Sequence, residues 1–256
     1  MKGRIWKSLI GVSAVAVLAV VGLTSYTVVR YLRTTPRFEV KKVSVVGIKR
    51  VEETQVYAQA GLRGSGNIFS ADLDAIRERV EGLRWVRFAT VQRVLPDTIS
   101  IKVVEREPVG LGRIRGEIYQ FDAQAELLDP DTEGGINFPI LDGLEFDEPE
   151  ANQKKIDLYL TIMEELHGQN ELSEIHVNDD GEVSVVSLSE PLLVNLGASE
   201  FRTRWGRYLQ LKTQIQEDYP EAVQVDFRFE NQVILKTKTD ASDERKVTWD
   251  VKRKSL

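Results

Sequence analysis

No cysteine occurs anywhere in the 256 residues. That excludes disulfides, thiolate nucleophiles and Cys-ligated zinc, while leaving the compartment open, because an exported domain with enough core needs no disulfide. Histidine is almost as scarce, with His167 and His176 alone. His167 is expected to end a helix and serve its last carbonyls, and His176 to alternate outward in a strand. His176 with Asp179 and Asp180 can be drawn as a metal site. The pair of aspartates is already explained by a hairpin turn at Asn178-Asp179-Asp180-Gly181, and no HExxH or EF-hand spacing surrounds it. Gly61, Gly64 and Gly66 lack a Walker lysine, and no Gly-x-Ser-x-Gly elbow is present. The carboxylate pairs Glu164-Glu165 and Glu148 with Glu150 read as solvated charge; a glycosidase would need two carboxylates converging on a cleft. No catalytic residue, cofactor or metal is assigned.

Strong positive charge is also missing. The net charge is -6, which argues against general nucleic-acid binding, since that needs concentrated Lys and Arg. The basic cluster Lys252-Arg253-Lys254 reads as a solvated tail. The fractions of 42% hydrophobic and 29% charged residues are those of a globular chain, so disorder is excluded for most of it.

One long apolar run is there. Between Lys7 and Arg30 no residue is charged, and residues 9–29, at 1.5 Å per residue, make a helix of roughly 31 Å, the thickness of a hydrocarbon core. A cleaved signal with Lys2, Arg4 and Lys7 as its basic head is the alternative. The run continues well past the small residues Ala14-Val15-Ala16, so a single-span anchor is expected. Arg30, Arg33, Arg37, Lys41 and Lys42 follow the span, so a count of basic residues does not set its orientation.

Behind the anchor, residues 38–46 read as a strand ended by Gly47, and residues 52–60 as a short helix capped by Gly61. A second helix starts at Ser70 and closes at Gly82. Strands at 85–94 and 98–104 follow, joined by Leu95-Pro96-Asp97. Strand, helix, helix, strand, strand is an α+β unit with both helices on one face of a three-stranded sheet. Further on, residues 118–122 and 127–129 form a hairpin. Helices at 150–167 and 200–217 present apolar stripes through Ile156, Tyr159, Leu160, Met163 and Leu166, and through Phe201, Trp205, Tyr208, Leu209 and Ile215. Strands are expected at 173–177, 182–188, 192–196, 223–229 and 233–238.

Val43-x-Val45-x-Gly47, Gly66-Asn67-Ile68-Phe69, Trp85-Val86, Val91-x-Arg93-x-Leu95-Pro96-Asp97-Thr98-Ile99 and Glu105-Arg106-Glu107-Pro108-Val109 together resemble the POTRA domain of the bacterial division family FtsQ/DivIB. Phe138-Pro139-Ile140-Leu141-Asp142-Gly143, Val194-Asn195-Leu196-Gly197 and Val225-Asp226-Phe227-Arg228-Phe229 extend the likeness from residue 38 to 238. Arg84 stands where relatives often have Pro, and Gly110 where they have Ala. The resemblance implies a cytoplasmic N-terminus (1–8), a transmembrane helix (9–29), a POTRA domain (38–106), a mixed β-rich domain with two helices (107–240) and a charged tail (241–256).

It also implies a function. The protein would be a single-pass scaffold of the inner membrane at the division septum, with its domains on the extracytoplasmic side and its POTRA region aiding localisation. It would bind FtsB and FtsL and thereby help to control septal peptidoglycan synthesis by FtsW and FtsI. Carried over by position, FtsB contacts fall on Phe229, Asn231, Gln232, Val233 and Leu235, with Ala198 near the start of the last helix. Ala198 and Thr237 replace a basic residue and a Trp found in some relatives. The physical route is addition of a partner strand to an open edge at residues 233–238, unless the alternating residues Val247, Trp249 and Val251 cover that edge. The competing reading is a membrane-anchored enzyme acting on the cell wall; an outer-membrane assembly factor would need a series of alternating membrane strands, which do not follow.

Overall fold

The structure, a computed structural model, describes residues 2–62, 66–130, 137–166, 172–237 and 245–247, the backbone alone for 2–15 and 245–247. The chain divides into two compact units, Met1–Arg106 and Glu107–Leu256.

The first unit begins with α1 (Lys2–Thr34), one continuous helix over the uncharged run. Its segment Ala16–Thr34 is long and apolar enough to cross a membrane, and none of it is buried in protein. This supports a single-pass anchor. A 3-10 turn (Pro36–Phe38) leads into β1 (Lys42–Val46). Helices α2 (Glu53–Ala60) and α3 (Leu73–Glu81) follow, then β2 (Val86–Val94) and β3 (Thr98–Glu105). The sheet order is β1-β3-β2, with β1 parallel to β3 and β2 antiparallel to it.

Sequence patterning explains these elements. Gly61 ends α2 at φ 67, the left-handed angle that a residue without Cβ adopts freely. Asp72, rather than Ser70, caps α3 by accepting the amide of Ala75 at 3.1 Å. Val56, Ile76, Val80, Ile99 and Ile101, all at most 2% exposed, close a core between the helices and one sheet face.

The second unit is a ten-stranded sheet. Its strands are β4 (Pro108–Ile114), β5 (Glu117–Asp122), β6 (Leu127–Pro130), β7 (Ile140–Asp142), β8 (Leu172–Val177), β9 (Val183–Ser187), β10 (Glu190–Gly197), β11 (Ala222–Asp226), β12 (Val233–Thr237) and β13 (Arg245–Val247). Helices α4 (Pro149–Glu165) and α5 (Phe201–Asp218) cross over between β7 and β8 and between β10 and β11, pairs that run parallel. The fold class is α+β, a transmembrane-type helix followed by a β-α-α-β-β unit and a β-rich unit with two helices.

Both helices bury apolar stripes in the same core as alternate strand residues: Ile156, Tyr159 and Ile162 of α4 and Phe201, Trp205 and Tyr208 of α5 pack with Val185, Val194, Val225 and Leu235. Leu209, expected to face inward, is 45% exposed. Residues 200 and 227–229 lie outside their expected elements, because Glu200 is left-handed at φ 59 and β11 stops at Asp226. The strand β4 was not expected; its glycines fit where side chains would not, since a Cβ on Gly110 would collide with the Phe121 ring and one on Gly112 with Leu144.

Candidate functional site

The parallel strands β10 and β11 end side by side, and α5 begins between them. The amide of Phe227 donates to the carbonyl of Asn195 at 3.0 Å, holding the two strand ends together. Asn195 Oδ1 accepts the amide of Gly197 at 3.0 Å, which turns the chain away from β10. Gly197 has φ 73, and a Cβ there would meet both Arg204 and Arg228. Only glycine fits that junction.

Three arginines fix the surface around it. Arg204 donates to the Leu196 carbonyl at 2.6 Å and to Glu200 at 2.9 Å. Arg228 forks onto Asp226 at 2.7–3.1 Å and reaches Glu182 at 2.7 Å. The Asp226 carboxylate, then that of Glu182, raises the pKa of the Arg228 guanidinium. Arg207 donates to the Phe229 carbonyl at 3.0 Å and lies 5.7 Å from the Phe227 ring centre. Phe229 is thereby presented at 40% exposure beneath the Arg228 guanidinium. Ala198, Phe229 and Asn231 are exposed and Gln232 is half-buried. Arg228 is legible in the sequence only as part of the motif Val225-Asp226-Phe227-Arg228-Phe229, and Arg204 and Arg207 only through their spacing of three in the first turns of α5, which puts them on one side of a helix.

Two expectations need correction. Val233 and Leu235 are each 1% exposed. Their side chains point into the core beneath α4 and α5, so the half-buried Ile234 and Lys236 occupy the opposite face. Nor is β12 the open edge. It is flanked by β11 and by β13, pairing Val233 with Val247, Ile234 with Lys246 and Leu235 with Arg245. The alternation Val247-x-Trp249-x-Val251 thus begins in a strand for Val247; residues 248–256 lie outside the described residues.

Of the other groups weighed for chemistry, His176 and Asp179 are paired with neighbours. Register places Arg113, Asp142 and His176 opposite one another on β4, β7 and β8. Arg113 bonds Asp142 at 2.9 Å and Glu174 at 2.6 Å, and His176 lies 3.1 Å from Asp142 and 3.2 Å from Glu174. Asp142, Glu174 and His176 are close enough to hold a metal ion together. The guanidinium already stands between the two carboxylates, and its hydrogen bond is the main reason Glu174 titrates below its ordinary range. His176 therefore meets Asp142 and Glu174 rather than Asp179 and Asp180; Asp179 pairs with Lys155 at 3.0 Å. His167 lies outside the described residues. Glu148 and Glu150 border an open cleft of about 890 Å³ at the start of α4, where carboxylates complement the helix dipole.

These features define a class: a protein with one helix long and apolar enough to anchor it in a membrane, a β-α-α-β-β domain behind that helix, and a second unit whose sheet ends in the three-residue β13. Residues 38–106 match the family described as "POTRA domain, FtsQ-type", and residues 112–228 match "Cell division protein FtsQ/DivIB, C-terminal". The chain is 30% identical over 239 residues to cell division protein FtsQ of Koribacter versatilis (strain Ellin345), covering 88% of this chain and 69% of that one. Over 245 residues it is 24% identical to FtsQ of Geotalea daltonii, covering 92% and 89%. Among solved structures, the major extracytoplasmic domain of DivIB from Geobacillus stearothermophilus aligns at 15% identity and TM-score 0.28, over 44% of this chain and 97% of that domain. The chain belongs to the FtsQ/DivIB family of bacterial cell division proteins.

Proposed function

We propose that this chain is a non-catalytic division scaffold, held in the inner membrane by α1 with its N-terminus in the cytoplasm and everything from residue 38 onward on the extracytoplasmic side at the septum. It binds FtsB and FtsL and through them acts on septal peptidoglycan synthesis by FtsW and FtsI. One observation carries the reading: a long sheet terminates in β12 and the three-residue β13, beside exposed Phe229 and Ala198. A partner strand is recognised there by main-chain pairing along residues 233–237 in the place of β13, and by side-chain contacts at Phe229, Asn231, Gln232 and Ala198. Val233 and Leu235 contribute backbone only. Family membership supports divisome partners, and the charge-satisfied cluster around Arg113 gives no support to a cell-wall enzyme.

The test uses the full chain in detergent with the extracytoplasmic segment of FtsB. Binding that weakens at least tenfold in Phe229→Asp, with no hydrolysis of peptidoglycan, is expected. Absence of binding by the unsubstituted chain, or peptidoglycan cleavage, overturns the proposal.

A further inference from the structure

The basic residues that follow the anchor have so far no role. From residue 30 to 42 the chain carries Arg30, Arg33, Arg37, Lys41 and Lys42 against one acid, Glu39, and all five cations are exposed. With the hydrocarbon span ending at Val29, the last residue before the first cation Arg30, Leu32 lies three residues further on and its carbonyl stands about 4–5 Å beyond the hydrocarbon edge. That is headgroup depth, since the polar layer adds roughly 5–7 Å on each side.

The POTRA domain is fastened at that level. Asn67 donates to the Leu32 carbonyl at 2.6 Å. The loop holding Asn67 is stitched to the segment after the anchor: Ile68 donates to Phe38 at 2.7 Å, Val40 to Gly66 at 3.2 Å, and the Phe38 and Phe69 rings meet edge-on at 5.2 Å. Arg93 ties the same loop to the end of β2, donating to the carbonyls of Ile68 at 2.8 Å and Ala71 at 2.6 Å. The amides of Lys41 and Lys42 both donate to Asp97, in the turn between β2 and β3. On that turn Val94 is 49% and Leu95 58% exposed. Two large apolar side chains therefore project from a turn that is bonded to both the juxtamembrane segment and, through Arg93, the loop gripping α1.

We propose that this turn is a membrane contact: Val94 and Leu95 enter the interfacial layer of the leaflet that α1 leaves, and Arg30, Arg33, Arg37, Lys41 and Lys42 engage anionic lipid headgroups. Apolar residues at a protein tip gain burial in the acyl boundary, and a polybasic segment next to a span is drawn to anionic lipid. The anchor and the domain then form one seated unit, with the POTRA helices held at a fixed height.

The absence of native cysteine makes the test direct. The full chain with a single cysteine at Leu95, or at Phe88 as reference, is labelled with a fluorophore. It is reconstituted into phosphatidylcholine vesicles with and without phosphatidylglycerol, including a lipid carrying a nitroxide quencher at its headgroup. Phe88 is 48% exposed and lies roughly 20 Å along β2 from Val94. Quenching at 95 several-fold greater than at 88 is expected, rising with phosphatidylglycerol and falling in high salt. In a Val94→Cys background, Leu95→Asp should reduce it. Equal quenching at 95 and 88 overturns the contact, and quenching at 95 that ignores phosphatidylglycerol overturns the role given to the five cations.

Discussion

Oε1 of Glu105 accepts the amide of Val51 at 2.9 Å across 54 positions of sequence. The same carboxylate takes the amides of Lys49 at 2.7 Å and of Arg50 at 2.9 and 3.1 Å. The last residue of β3 thus holds the segment that leads into α2. Burial is the largest single influence on this carboxyl and pushes its pKa up; the amides of Val51, Lys49 and Arg50, with the Lys49 charge, outweigh it and hold the group below its ordinary 4.5. A depressed folded-state pKa contributes stability that is present above the unfolded value and lost as pH falls through the folded one. Glu105→Gln should therefore cost about 1–2 kcal/mol at neutral pH, the scale of a charge-assisted hydrogen bond. The loss should shrink below pH 4.5. Amide exchange at Lys49, Arg50 and Val51 reads it, and unchanged protection would refute it.

A second prediction concerns Arg113. It bridges Asp142 and Glu174 with side chains at 32%, 23% and 28% exposure, between the surface and fully buried cases. Its removal takes the shared cation from two neighbouring carboxylates, with His176 beside them. Arg113→Ala should cost about 1–3 kcal/mol at pH 7. Glu174 is held low first by the Arg113 hydrogen bond, so this stabilisation is present above pH 4.5 and disappears as Glu174 protonates. The difference in thermal midpoint between variant and parent should be largest at neutral pH and should shrink as pH is lowered below 4.5 and Glu174 protonates. A constant difference would show that Arg113 acts through packing instead.

How much of this was legible depended on which force dominated locally. Val43 and Val45 alternate cleanly, and Ile99, Ile101 and Val103 do so opposite them, so β1 and β3 could be read directly. β4 could not, because Gly110 and Gly112 look like turn residues until Phe121 and Leu144 are seen filling their space. Alternation in β12 shows two faces but not which face the helices cover, so nothing local marks Val233 and Leu235 as core residues rather than partner contacts. Asp142, Glu174 and His176 converge only through strand pairing, which no local spacing encodes.

Gly110 gives the third prediction. It sits opposite Phe121 in the β4–β5 pair, and Phe121 is fully buried with its ring 5.3 Å from that of Tyr159. A Cβ at this position would press into the Phe121 ring. Gly110→Ala should destabilise the second unit by about 1–3 kcal/mol, the cost of overpacking. Gly110→Ala combined with Phe121→Leu should recover part of the loss, because the smaller side chain vacates the space. Calorimetry of the two variants decides it: a neutral single substitution would mean that the ring yields freely.

The last prediction turns on how weakly β13 is held. Three residue pairs join it to β12. Each ladder hydrogen bond contributes about 0.5–1.5 kcal/mol net, while ordering the backbone costs about 1–2 kcal/mol per residue. The two nearly cancel, so a partner strand pairing with all five residues of β12 has the advantage. Ile234 and Lys246 are directly paired in the antiparallel ladder, where Cα atoms lie about 4.5–5.5 Å apart, within disulfide range. In a chain without native cysteine, Ile234→Cys with Lys246→Cys can form one disulfide only. Oxidation should fix β13 in place and lower FtsB binding at least tenfold, and reduction should restore it. Deleting residues 243–256 should leave binding equal to or tighter than that of the full chain. Oxidised protein that binds as well as reduced protein would mean that the partner pairs elsewhere, on the outer side of β13 or at another surface. Loss of binding in the reduced protein and the truncated chain alike would instead remove this end of the sheet as the partner site.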